Sequence, residues 1–231
     1  KYVLKKDSKE RLLAENIFLS LYKKKEVERV IFYKKNSNYA IYEYQKENIL
    51  DIKSKENVLQ YINQIKKFID NYVEYKGYGY GDILDRVDSW KSFLEKEIFE
   101  KSKFMEIEKY KIIKKSLDIV SQYKFRKKVI HGDLGIYNVI FQKDKIKIVI
   151  DPRTIIGDPL YDFIYFVLSK LDFIESIDID DFIDITSQPK QKVIELMKIL
   201  LYIRISINKK NGLQVNKYEE IWNKLINISY N

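Results

Sequence analysis

Hydrophobic and polar positions change rhythm twice along this chain of 231 residues, and the changes divide it into two lobes. Tyr2 to Lys5 is a short β-prone run, and Asp7 with Glu10 fits a capping box opening a helix. In that helix Leu13, Ile17 and Leu21 form one apolar stripe, with Leu12, Leu19 and Tyr22 forming a second beside it. Glu15 lies between Leu12 and Leu19, so the helical period turns a carboxylate inward. The runs VERVIFYKK and NYAIYEYQ, parted by Asn36, Ser37 and Asn38, read as a hairpin. One strand, one helix and one hairpin make a small β-rich lobe, residues 1–47.

From residue 48 a helical period takes over, with Val58, Leu59, Ile62, Ile65, Phe68, Ile69 and Val73 at helical spacing. KGYGYGD, residues 76–82, contains a GxG, but no strand leads into it and no phosphate-loop frame surrounds it, so a flexible connection is expected. Helical stretches around Trp90 to Phe99 and over 105–123 come next. Strands at 139–142 and 146–150 then flank QKDK as a tight turn, and the chain from Leu160 onward is helix-rich. The expected class is α+β, with residues 48–231 forming a larger, mainly helical lobe.

Composition narrows the chemistry. There is no cysteine, which excludes disulfides, thiolate metal sites and a cysteine nucleophile, and suits a reducing compartment. The first residues lack the apolar run of a secretory signal, and the longest apolar stretch, IELMKILLYIRISI, is broken by Lys198 and Arg204. A soluble, cytoplasmic monomer is expected, with no membrane partner. The formal charge is +9, but lysine is spread along the whole chain, and KKK at 23–25 and RKK at 126–128 are short. Nucleic acid is therefore not the expected partner.

His131, Asp133 and Asn138 form HxDxxxxN, and Asp151 stands immediately behind the apolar strand Ile148 to Ile150. Phosphoryl transfer needs a held hydroxyl, a base for its proton, and Mg²⁺ on the phosphates. Asp133 offers the base, and Asn138 and Asp151 offer the hard oxygens magnesium prefers. With Gly132 inside the motif and IDPRTIIGDPLYD after it, the pattern resembles the aminoglycoside phosphotransferase and related small-molecule kinase family. The likeness is strong over residues 129–166 and looser in the first lobe.

That resemblance implies a protein-kinase-like two-lobe fold, ATP or GTP as donor, Mg²⁺, and a small-molecule hydroxyl acceptor. It makes Asp133 the catalytic base and gives Asn138 and Asp151 the metal. His131 would order the catalytic loop and Asp162 would support it from below. Lys5, paired with Glu15, would contact the nucleotide phosphates. The hinge at 41–45, with Tyr42 and Tyr44, would contact the nucleotide base. Two strands and a nucleotide-covering turn precede the lysine strand in that fold, whereas this sequence begins at it, so a preceding segment is expected in the natural protein, the alternative being a shortened form.

The acceptor is less legible. DFIESIDIDDFID is an acidic segment that suits the ammonium groups of an aminoglycoside or amino sugar, or is simply a solvated loop. Asp178, Asp180 and Asp181 in it, with Asp158 before it, are the candidate acceptor contacts. Asp82, Asp85 and Asp88 form a second acidic cluster. The alternative function is a catalytically silent kinase-like module that binds a nucleotide or a protein. The joint presence of Asp133, Asn138 and Asp151 favours activity, and the lack of DFG and APE motifs disfavours a protein kinase.

Overall fold

The computed structural model describes residues 1–23, 27, 30–46, 54–101, 106–142 and 145–228. Its smaller lobe is an antiparallel sheet of β1 (Tyr2–Lys6), β2 (Val30–Tyr33) and β3 (Tyr39–Glu43), with β3 in the centre and α1 (Lys9–Leu21) packed on it. The cap of α1 is Ser8, whose hydroxyl accepts the Arg11 N–H at 3.0 Å. Asp7, expected as the cap, instead accepts the N–H of Ser8 at 2.7 Å, so the helix starts one residue later. Of the two apolar stripes, the one with Leu12, Leu19 and Tyr22 is buried, joined by Phe18, while Leu21 is exposed. Glu15 is fully buried on the same face. The expected lobe boundary at 47/48 and the middle of the QKDK turn lie outside the described residues.

The larger lobe opens with α2 (Lys55–Asp70), capped by Ser54 and buried along Val58, Ile62, Ile65, Phe68 and Ile69 as its period requires. A second antiparallel sheet runs β5 (Asp85–Val87), β4 (Tyr80–Asp82), β9 (Ile155–Gly157) and β6 (Lys128–Ile130). The glycine-rich segment therefore ends in strand β4 rather than forming a flexible connection, because β9 offers it a ladder partner from far along the chain. A separate hairpin, β7 (Val139–Gln142) and β8 (Lys145–Val149), follows a 3-10 turn over Ile136–Asn138.

Helices α3 (Trp90–Lys101), α4 (Ile107–Val120), α5 (Pro159–Leu168), α6 (Leu171–Ser176), α7 (Ile179–Thr186), α8 (Lys190–Lys210) and α9 (Asn216–Ile226) complete the lobe. The long α8 is buried on all faces between α3, α4, α5 and α9, which explains why apolar residues run all round it between its buried Lys192, Glu195, Lys198 and Arg204. Among the described residues no helix is long and apolar enough to cross a membrane.

Two buried side chains lock the lobes together. Tyr22, just past α1, donates its hydroxyl to Val129 O at 2.6 Å and accepts the Val73 N–H at 2.7 Å. Thr154 donates to Ala14 O of α1 at 2.7 Å. The stretch 151–154 is thereby held against the small lobe.

Candidate active site

The turn carrying His131 and Asp133 is built around one buried carboxylate. Asp162, in the first turn of α5, accepts the His131 N–H at 2.7 Å and the Gly132 N–H at 2.9 Å, and the Tyr72 hydroxyl at 2.8 Å. Burial pushes its carboxyl up to about 7 against the pull of those donors. Gly132 takes a φ of +80°, and a side chain there would stand 2.4 Å from Ile155, so the motif needs glycine at that place. His131 is also fully buried. Its Nε2 lies 2.9 Å from Ile150 O and its Nδ1 accepts the Asp133 N–H at 3.2 Å. Burial depresses the imidazole to about 4, so it is neutral, with the proton on Nε2. Such a ring ties the turn carrying Asp133 to the strand end that leads to Asp151.

Asp133 is partly exposed at the cleft. Asn138 donates from Nδ2 to the Asp133 backbone carbonyl at 2.8 Å and to Oδ2 at 3.2 Å. Its remaining polar atom, Oδ1, is the one it can offer a cation. Asn138 O accepts the Ile150 N–H at 3.0 Å, so the hairpin β7–β8 brings Asn138 and Asp151 to one end. Asp151 has a φ of +56° and Thr154 one of +66°. Two left-handed non-glycine residues in four is local strain of the kind functional turns hold.

Lys5 of β1 reaches this turn. Its Nζ is 2.6 Å from Glu15 Oε2 and 2.6 Å from Asp151 Oδ1. Arg11 adds a contact of 3.0 Å to the same Asp151 oxygen. Burial works against the ionised forms of both residues, yet Lys5 stays raised by its two carboxylates and Asp151 stays lowered by Lys5 and Arg11. Burial pushes Glu15 up, opposed first by Lys5.

Beside Asp133 opens a cleft of about 550 Å³, bordered by Arg11, Asp82, Asp85, Glu97, Arg153 and Tyr165 among others. The candidate acceptor contacts lie elsewhere. Asp158 is buried as the cap of α5, 2.8 Å from the buried Lys192. Asp178 and Asp181 pair with Lys55 and Asp180 pairs with Lys190, all on the surface. None of the four lines the cleft. Of the hinge pair, Tyr44 is exposed, whereas Tyr42 is 2% exposed in the core and hydrogen bonds toward Glu15, so its ring has no free face for a base.

No protein-family model and no curated protein matches the sequence. Solved structures do. An aminoglycoside phosphotransferase APH(4)-Ia, as a thermostable mutant without ligand, superposes with a TM-score of 0.66 at 14% identity, over 97% of this chain and 85% of that one. The choline kinase LicA from Streptococcus pneumoniae gives 0.62 at 14% identity, over 98% and 86%. A protein assigned as a fructosamine-3-kinase from Haemophilus somnus 129PT gives 0.60 at 19% identity, over 98% and 82%. The chain has the protein-kinase-like fold of small-molecule kinases.

Within that kinase-like frame, several cleft residues escape a reading of the sequence. Arg153 forks onto Asp82 at 2.7 and 2.8 Å and reaches Glu97 at 2.8 Å. Tyr137 donates to Asp133 Oδ1 at 2.9 Å. Nothing in the spacing joins Asp82, Glu97 and Arg153, because three separate elements bring them together. Arg153 and Tyr137 did carry a signal, since both lie inside the stretch that resembles the kinase motif.

Proposed function

We propose that the protein is a phosphotransferase moving the γ-phosphate of ATP or GTP onto a hydroxyl of a small molecule. The observation that carries this reading is Lys5 of the small lobe meeting Asp151 of the large lobe at 2.6 Å, while Asn138 at the same hairpin end holds Asp133. A phosphate-contacting cation and two hard-oxygen donors thus gather at one hairpin end, and one of those donors holds the carboxylate base. The acceptor hydroxyl would donate to Asp133. As its oxygen bonds the γ-phosphorus and the bond to the nucleoside diphosphate breaks, Asp133 takes the proton.

Among the described residues no group of three or more His, Cys, Asp or Glu could hold a metal by itself. That fits magnesium delivered with a nucleotide, which needs one or two protein oxygens and completes its shell with phosphates and water. Asp151 and Asn138 Oδ1 are the residues to hold it, and when bound it neutralises charge developing on the phosphates. Lys5 then serves phosphate as well as Asp151.

The fold neighbours support the same donor and acceptor types, since APH(4)-Ia was also solved in ternary complex with AMP-PNP and hygromycin B. In this chain acidic side chains outnumber basic ones around the cleft although the whole protein is strongly basic. That balance supports a cationic hydroxyl compound such as an aminoglycoside or other amino sugar.

The test has two stages. Thermal unfolding with ATP and GTP, each with and without Mg²⁺, should show magnesium-dependent stabilisation by at least one of them. Release of nucleoside diphosphate over a panel of amino sugars and other hydroxyl compounds should then find an acceptor, and Asp133→Asn should slow that turnover by about 10² to 10⁴-fold. Nucleotide binding without turnover on any acceptor favours the silent module. No nucleotide binding sinks the phosphotransferase and leaves a silent module that binds a protein.

A further inference from the structure

Both carboxylate oxygens of Asp133 are engaged. Oδ2 takes the Asn138 amide at 3.2 Å, and Oδ1 takes the Tyr137 hydroxyl at 2.9 Å. Each oxygen keeps a second lone pair, but an acceptor hydroxyl that donates to Asp133 competes with these two bonds for the carboxylate's charge and for space around it. Asn138 is buried, whereas Tyr137 is half exposed, and a half-exposed phenol can swing away at little packing cost. The Tyr137 hydroxyl is thus the competitor that an acceptor hydroxyl can displace from Asp133.

The phenol is also held there. Its oxygen lies 3.2 Å from the Tyr165 hydroxyl. Arg204 of α8 places its guanidinium 4.7 Å from the centre of the Tyr165 ring, and its Nε and Nη2 are buried without hydrogen-bond partners. A buried cation behind two phenols attracts their lone pairs, which turns the Tyr137 proton toward Asp133. Burial first, then the Asp133 charge, raises the Tyr137 hydroxyl above its ordinary value, so it remains a donor.

From this geometry, and resting on the phosphotransferase reading above, we infer that Tyr137 is a specificity-determining residue that guards the base. It caps Asp133 while the acceptor site is empty, denies the base to water, and yields only to a hydroxyl compound whose other contacts in the cleft compensate for the lost bond. Water, which brings no such contacts, is thereby excluded as a phosphoryl acceptor. In the suppressed reaction, water oxygen would bond the γ-phosphorus, the bond to the diphosphate would break, and the water proton would pass to Asp133.

The experiment measures hydrolysis of Mg-ATP and Mg-GTP without any acceptor by the full chain and by Tyr137→Phe, with nucleotide-induced thermal shifts on both. Tyr137→Phe keeps the ring and removes one oxygen. It should hydrolyse about tenfold faster, the worth of one freed charge-assisted hydrogen bond, and the gain should vanish in Tyr137→Phe with Asp133→Asn. Once an acceptor is found, its KM should fall in Tyr137→Phe with kcat little changed, which a merely structural tyrosine does not produce. Equal hydrolysis by two proteins that both bind nucleotide overturns the guard and leaves the phosphotransferase reading standing. Phosphate found on Tyr137 also overturns it, because the hydroxyl is then an acceptor itself. If neither protein binds nucleotide, the phosphotransferase reading fails and the guard with it.

Discussion

Lys5 Nζ stands 2.6 Å from Asp151 Oδ1 across 146 residues of sequence, and the same nitrogen holds the buried Glu15. Replacing Lys5 by Met removes the only cation paired with Glu15 among the described residues. An uncompensated buried charge is costly, and because Lys5 is itself partly exposed, we expect a loss of about 2 kcal/mol in urea unfolding, below the range for a wholly buried pair. Lys5→Met with Glu15→Gln should recover most of it, since no charge is then stranded. A double variant as unstable as Lys5→Met would contradict this account.

His131 and Asp162 set opposite pH dependences on one loop. The imidazole, depressed from 6.5 to about 4, contributes stability that is present above pH 6.5 and lost as pH falls through 4. The carboxyl, raised from 3.8 to about 7, contributes stability that is full below pH 3.8 and lost as pH rises through 7. Each amounts to about 3 to 4 kcal/mol, and between pH 4 and 6.5 the slopes largely cancel. Asp162→Asn should therefore make unfolding free energy climb with pH across that window, and His131→Gln should make it fall. His131 is the single histidine, so its ring titration can be followed directly by NMR. A midpoint near 6.5 would refute the buried neutral ring.

Gly132 and Gly212 test what the catalytic turn demands. Both have positive φ, but a side chain at Gly132 meets Ile155 at 2.4 Å, whereas one at Gly212 meets nothing within 4 Å. Gly212→Ala should cost about 1 kcal/mol, from backbone strain alone. Gly132→Ala adds overpacking, so about 3 kcal/mol is expected, with Asp133 displaced and turnover lost. Equal costs in thermal unfolding would show that the turn has room to relax.

These residues also show what could be read in advance. The burial of Glu15 was legible because a helical period has one buried face, and the nearness of Asn138 to the Asp151 turn because the two flank one short hairpin. Lys5 and Glu15 pair as the family resemblance implied. The glycine-rich segment was misread because β4 is made a strand by β9, a partner more than seventy residues away; local pattern cannot announce a distant ladder. The acidic segment around Asp180 drew attention by its density of charge, yet density marks solvent exposure as readily as a site. The cleft beside Asp133 is instead bordered by Asp82, from the second acidic cluster, and by Glu97, whose shared partner, Arg153, only the fold reveals.

Arg153 is accordingly where the cleft beside Asp133 is most open to attack by mutation. Its planar fork holds Asp82 through two bonds while reaching Glu97, whose side chain is 1% exposed. A lysine supplies the charge but not the fork. Arg153→Lys should cost about 2 kcal/mol, less than full removal of a buried partner because Lys101 also pairs with Glu97. It should also raise the acceptor KM, because Asp82 loses its fixed orientation. Asp180→Asn, by contrast, breaks only an exposed pair with Lys190, so stability should stay within about 0.5 kcal/mol and acceptor KM within about twofold. If Asp180→Asn weakens acceptor binding and Arg153→Lys does not, the acceptor lies against the acidic segment after all and the cleft beside Asp133 is not its binding site.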